Sequence, residues 1–241
     1  MASNRRGSVV LETRNLSMRF GGVTAVDNVD FELREGELRC LIGPNGAGKS
    51  TFFKCLTGQL RPTAGSILIQ DKPMLGEPPC RIAQAGVGVK TQTPSLFNGL
   101  TAREHIALAV ERHHGNERAR SKTDDVIERF GLNDLAGRIV GQLAHGQRQR
   151  VEIAMVVAAD PWLVLLDEPA AGMTHEEVDR MVALIRDINR EATMIIVEHD
   201  MQFIRLIADQ VTVFHQGAIL IEDHVEAVLN DPRVREVYLG A

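Results

Sequence analysis

Residues 43–51 read Gly-Pro-Asn-Gly-Ala-Gly-Lys-Ser-Thr. Glycines at this spacing let backbone N–H groups turn inward and cradle an anion. A lysine placed directly after them reaches the outer phosphates of a nucleoside triphosphate, and the next hydroxyl ligates Mg²⁺. Gly43, Asn45, Gly46, Ala47, Gly48, Lys49, Ser50 and Thr51 are therefore candidate nucleotide contacts. Further along, the apolar run Leu163–Leu166 leads into Asp167-Glu168-Pro169. A parallel strand ending in two carboxylates projects both beyond the sheet edge, where ligands bind in open α/β folds. Asp167 is the candidate metal ligand, directly or through water. Glu168 is the candidate group that orients or deprotonates an attacking water.

These residues need particular elements to hold them. Glu37–Gly43 reads as a strand running into the glycine loop, and Lys49–Thr57 as a helix stopped by Gly58. Strand, loop and helix in that order are the context a phosphate loop requires, with the positive end of the helix aimed at the phosphates. Val9–Leu33 suggests short strands about a Gly21-Gly22 turn, and Ser66–Gln70 a further strand. Residues 95–158 change character, with helices predicted at Ala102–Arg112 and Thr123–Phe130 and a polar link at 113–122. Trp162–Leu166 and Thr193–Val197 read as strands buried on both faces. Between them a helix spans about His175–Arg190, with Thr174 and Glu177 forming a capping box. Its buried face carries Val178, Met181, Val182, Ile185 and Ile188. Val211–Phe214 and Ala218–Ile221 flank Gln216-Gly217 as a hairpin. The tail is helical to Asn230 and broken by Pro232.

Composition narrows the classes. The chain has 241 residues and a formal net charge of -5. That balance lacks the basic footprint of a nucleic-acid binder. Cys40, Cys55 and Cys80 form no metal-type pair, and the first two read as small core residues. The longest apolar runs, Ile153–Ala159 and Trp162–Leu166, fall far short of the ~20 residues that cross a bilayer. Any passage through a membrane would belong to other chains.

With these motifs in order, the chain resembles the ATP-binding cassette (ABC) ATPases over essentially its whole length. Phe20 matches the aromatic that stacks on adenine in that family. Gln92, in Lys-Thr-Gln-Thr-Pro-Ser-Leu-Phe, matches the loop glutamine that senses Mg²⁺ and couples to the membrane subunit. Leu143-Ala144-His145-Gly146-Gln147 stands where the family has its signature, usually Leu-Ser-Gly-Gly-Gln. Ala170-Ala171-Gly172-Met173 matches the loop after the general base, and His199 the switch histidine that contacts the γ-phosphate. The resemblance implies an α/β fold of the P-loop NTPase class with a β-subdomain and an inserted helical subdomain. One domain would span 9–241, its core formed by 9–94 and 159–241, the helical part by about 95–158, with 1–8 a loose tail. It also implies ATP and Mg²⁺ as ligands, with each ATP held between one chain's phosphate loop and its partner's signature.

One departure is Ala144, which replaces the signature serine. Losing its bond to a charged phosphate oxygen costs about 1.5–3 kcal/mol. His145 replaces a glycine and is either a substitute donor or a tolerated change. A weakened signature suits a heterodimer with a second ABC ATPase, although a homodimer stays open. Arg19-Phe20-Gly21-Gly22, Ala171-Gly172-Met173-Thr174, Val197-Glu198-His199-Asp200-Met201 and the ending 231–240 look like the branched-chain amino acid and urea-type importers, with the urea type closest. Such systems pair two ATPases with two membrane permeases and a periplasmic solute-binding protein, on the cytoplasmic face of the inner membrane. A lipopolysaccharide-export ATPase, with a similar ending, and a low-turnover regulatory subunit are the alternatives. A soluble ABC ATPase of DNA repair or translation fits less well, because this chain has one set of motifs and a short insert.

Overall fold

The computed structural model describes residues 7–93, 95–114 and 116–239. Of the expected loose tail, residues 1–6 therefore lie outside the described residues, as do Gly240 and Ala241 of the ending. The chain runs β1 (Val9–Phe20), β2 (Val23–Arg34), β3 (Leu38–Ile42), α1 (Lys49–Leu56), β4 (Ala64–Ile69), β5 (Lys72–Pro73), α2 (Pro79–Gln84) and β6 (Val87–Lys90). Helices α3 (Ala102–His114), α4 (Asn116–Arg129) and α5 (His145–Val157) follow. Then come β7 (Leu163–Asp167), α6 (His175–Asn189), β8 (Thr193–Val197), α7 (Met201–Ile207), β9 (Gln210–His215), β10 (Ala218–His224), α8 (Val225–Asn230) and α9 (Pro232–Leu239).

Among the described residues the strands form two sheets. An antiparallel sheet has the order β2-β1-β4-β5, and a larger sheet the order β10-β9-β3-β8-β7-β6. In the larger sheet β6, β7, β8, β3 and β9 run parallel, and β10 is added antiparallel at one edge. Its central strands are short and apolar because both faces are covered. Alternate residues supply two cores. Leu38, Cys40, Ile42, Val164, Leu166, Met194 and Ile196 face one, with α5, α6 and α7. Leu41, Leu163, Leu165, Ile195 and Val197 face the other, beneath the antiparallel sheet. There Phe52 of α1 packs between Phe31 and Phe214, at ring-centroid distances of 5.5 and 5.1 Å. Cys40 and Cys55 are buried core thiols, and burial pushes Cys55 up to about 11, which leaves it unreactive.

Most expected elements are present, with differences that have local causes. The stretch taken as a polar link at 113–122 is helical at both ends of Gly115, which itself lies outside the described residues. Ala119 within it and Thr123 just after it are buried, while Arg120 is exposed. The helix from Val225 ends at Asn230, as expected, and Pro232 then opens a further helix, α9, since the first turn of a helix has no use for the missing N–H. Sequence periodicity missed β5, α2, β6, α5, α7 and α9. Val87-Gly88-Val89-Lys90 is too short to alternate visibly, and its pairing with Leu163–Leu166 decides it. The capping box of α6 is as expected, Thr174 Oγ1 accepting from the Glu177 N–H at 3.4 Å and Glu177 accepting from the Thr174 N–H at 3.0 Å.

Candidate functional site

Four parallel neighbours bring the candidate residues together. β3 ends at Ile42 and opens into the 43–48 loop. β6 ends two residues before Gln92, β7 ends at Asp167, and β8 ends two residues before His199. Parallel pairing puts all four carboxyl ends on one edge of the sheet.

Glycine is obligatory at two points of the loop. At Gly43, φ is +146° and a Cβ would stand 2.3 Å from the Phe214 carbonyl oxygen. At Gly48, φ is +104° and a Cβ would stand 2.4 Å from the Ala25 carbonyl oxygen. β9 and β2 thus press on the loop from two sides. The turn after β9 is laced in as well, the Gly217 N–H donating to the Ala47 carbonyl at 3.0 Å. Lys49 folds back so that Nζ donates to the Gly43 and Pro44 carbonyls at 2.5 and 3.0 Å. Burial lowers its pKa, against the opposing charges of Glu168 and Asp167. An anionic phosphate oxygen is a stronger acceptor than either neutral carbonyl. Asn45, Gly46 and Ser50 are exposed, Thr51 is half-buried and Ala47 is buried. Phe20, at the tip of β1, is 46% exposed.

Asp167 is buried, and its carboxylate accepts no hydrogen bond among the described residues. Burial raises its pKa and Glu168 adds to the rise, while Lys90, Lys54 and Lys49 oppose it. Glu168 adopts φ +48°, in the left-handed region that costs a non-glycine about 1–2 kcal/mol. Its carboxylate meets two neighbours. Gln92 Nε2 donates to Glu168 Oε2 at 3.1 Å, and His199 Nδ1 stands 3.4 Å from Glu168 Oε1. Three separate loops therefore converge on one carboxylate beside the glycine loop.

Three buried charges beneath this cluster escaped the sequence reading. Lys90 Nζ donates to the Asp167 carbonyl at 3.1 Å. Glu152, on α5, accepts from the Ser95 N–H at 2.7 Å and so fixes the segment after Gln92. Glu198 accepts from the Ala170 N–H at 3.2 Å and the His199 N–H at 3.1 Å. The available signal was a charge set directly against an apolar strand, as in Val87–Lys90 and Thr193–Glu198.

The signature residues stand apart from the cluster, at the N-terminus of α5. Leu143 and Gly146 are buried, Ala144 and His145 exposed. Ala144 occupies the cap position without a side-chain acceptor, while Gln147 Oε1 reaches back to the Ala144 N–H at 3.1 Å. His145 Nε2 lies 3.0 Å from the Ala171 carbonyl oxygen, within the same chain. In this arrangement the imidazole ties the signature to the loop after Glu168.

The sequence profile described as ABC transporter matches residues 26–171. The chain belongs to the ABC transporter ATP-binding family. It is 36% identical to the high-affinity branched-chain amino acid transport ATP-binding protein BraF of Pseudomonas aeruginosa, over 96% of this chain and 98% of BraF. It is 38% identical to the corresponding protein LivG of Escherichia coli K12, over 96% and 98%. Among solved structures, the ADP conformation of the ATP-binding cassette MJ1267 superposes with a TM-score of 0.86 at 27% identity, over 97% of this chain and all of that one. This ABC protein is thus an ATP-hydrolysing, nucleotide-binding subunit of an importer. No helix among the described residues is long and apolar enough to cross a membrane.

Proposed function

We propose that the cluster around Glu168 hydrolyses ATP bound over the 43–51 loop, and that the carboxylate's two partners carry this reading: Gln92 at 3.1 Å and His199 at 3.4 Å. Phe20 stacks on adenine. The amides of Gly46, Ala47 and Gly48, with the N-terminus of α1, hold the phosphates, and Lys49 exchanges its carbonyl partners for phosphate oxygens. Glu168 takes the proton of the attacking water. His199 and Gln92 hold that water and the carboxylate in line with the γ-phosphate.

Ser50, Asp167 and Gln92 suit Mg²⁺. A buried carboxylate without a hydrogen bond and an exposed hydroxyl both offer hard oxygen ligands. Among the described residues no group of three or more His, Cys, Asp or Glu side chains is placed to hold a metal. That suits an ion held largely by phosphate and water rather than by a protein cage. When bound, it would neutralise charge on the outer phosphates.

Leu143, Ala144, His145, Gly146 and Gln147, with the free amides at the start of α5, face the ATP of a second ABC ATPase. Missing the serine hydroxyl, this signature suits a heterodimer better than a homodimer. Two membrane permeases receive the motion through the segment after Gln92, where Phe97 is 66% exposed. A periplasmic binding protein delivers solute to those permeases, and this chain sits peripherally on the cytoplasmic face of the inner membrane. The relatives BraF and LivG support branched-chain amino acids as the solute. The likeness of Ala171-Gly172-Met173-Thr174 to the urea-type importers keeps short amides as the second reading. Cellular uptake of labelled leucine and of labelled urea, with and without this chain, tests the choice: loss of neither rejects both solutes. ATP turnover retained in Glu168→Gln would reject the catalytic assignment.

A further inference from the structure

Glu198 lies outside every role assigned so far, yet it is only 1% exposed and carries a carboxylate. It follows the last residue of β8, in the apolar core of the sheet edge. A carboxylate in such a place persists only when its oxygens are satisfied. Both are, by backbone N–H groups, and the His199 imidazole Nδ1 stands 4.0 Å from Oε2 as well. Oε1 accepts from the Ala170 N–H at 3.2 Å, and Oε2 from the His199 N–H at 3.1 Å. The first donor belongs to the loop that carries Glu168. The second belongs to the residue whose imidazole stands 3.4 Å from Glu168.

The same two loops are joined once more, by the Glu168 N–H donating to the Val197 carbonyl at 2.9 Å. Glu168 is thus pinned on both sides, by its own amide and by the amide two residues later. An independent observation gives that pinning a purpose. Glu168 holds φ +48°, a conformation that a glutamate leaves unless its surroundings fix it. Pro169, buried next to it, limits relaxation of the loop.

We infer that Glu198 is a positioning residue, a clamp that sets the spacing between the Glu168 loop and the His199 loop for hydrolysis. This inference rests on Glu168 and His199 acting on ATP as proposed above. The Glu198 carboxylate works through the two amides, and among the described residues it makes no hydrogen bond to the 43–51 loop, so ATP binding and the hydrolytic step separate. A displacement of 1 Å in a reacting group costs about 10²-fold in rate.

The test is steady-state hydrolysis by the full chain with ATP and Mg²⁺, together with an ATP titration and a melting curve for each variant. Glu198→Gln keeps one acceptor and turns an NH₂ toward the other amide. Glu198→Asp keeps the charge but withdraws it by one methylene. Either change is expected to lower kcat by about ten- to a hundredfold while KM and ATP affinity stay within about twofold. Wild-type kcat in both variants overturns the inference. So does a parallel loss of affinity and kcat, or failure of both variants to fold, since each makes Glu198 a part of the core alone. Glu168→Gln, run alongside, separates the two readings. If it is inactive while the Glu198 variants turn over normally, only the clamp fails. If it remains active, the assignment of Glu168 fails.

Discussion

Ala144→Ser asks one hydroxyl to do two things that the structure leaves undone. At the start of α5 the reciprocal half of a capping box is already in place, Gln147 Oε1 accepting from the Ala144 N–H at 3.1 Å. The other half is missing, because Ala144 caps the helix with no side-chain acceptor, at φ −62° and ψ 158°. That is the extended geometry in which a serine oxygen accepts from the third helical N–H. Restoring it is expected to stabilise the monomer by about 1 kcal/mol. For a chain of this size the melting temperature then rises by about 2–4 °C. The same hydroxyl still has its proton to donate to a phosphate on the facing subunit, and such a bond to a charged acceptor contributes about 1.5–3 kcal/mol. In a Glu168→Gln background, which holds ATP unspent, that corresponds to ATP-dependent pairing tighter by about tenfold or more. Differential scanning fluorimetry reads the first effect, and light scattering across a concentration series with ATP and Mg²⁺ reads the second. An unchanged or lower melting temperature refutes the capping argument. A higher melting temperature with unchanged pairing shows that His145 and the amides of Gly146 and Gln147 already satisfy the partner's phosphate.

Lys49→Ala removes the only side-chain cation of the loop and is expected to abolish measurable ATP binding, checked by equilibrium titration. Glu168→Gln should keep binding while hydrolysis falls by about 10²–10⁴-fold, the range removed with a general base. Gly48→Ala places a methyl 2.4 Å from the Ala25 carbonyl at φ +104°. Strain and overpacking together should cost about 2–5 kcal/mol, visible as lost melting temperature and weakened nucleotide binding. Asp167→Asn should raise the melting temperature of the nucleotide-free chain at pH 7. Burial holds the pKa of Asp167 above its unfolded value, so the charged form opposes folding. The advantage should shrink as pH falls through that raised pKa, because the native aspartate then becomes neutral too. A lower melting temperature at pH 7 would show that Lys90, Lys54 and Lys49 outweigh the desolvation.

What the sequence determined by itself was local chemistry and its order along the chain. The spacing from Gly43 to Thr51 needs one strand, one loop and one helix in succession, and contiguous residues carry all of that information. The same is true of the buried runs Leu163–Leu166 and Thr193–Val197, of the Thr174–Glu177 cap, and of the hairpin about Gln216-Gly217. Tertiary structure decided what depends on neighbours distant in sequence. β6 exists because it pairs with β7, although four residues with a glycine among them show no period of their own. The break after Asn230 was legible, but a second helix begins at Pro232 because Val234 and Tyr238 find the core to pack against. His145 turned out to bond its own chain at Ala171. Lys90, Glu152 and Glu198 look like ordinary charges at the ends of apolar runs. They take on positions under the site only when parallel pairing stacks four strand ends on one edge, where a buried charge must find a partner and the nearest are the amides and carbonyls of the loops above.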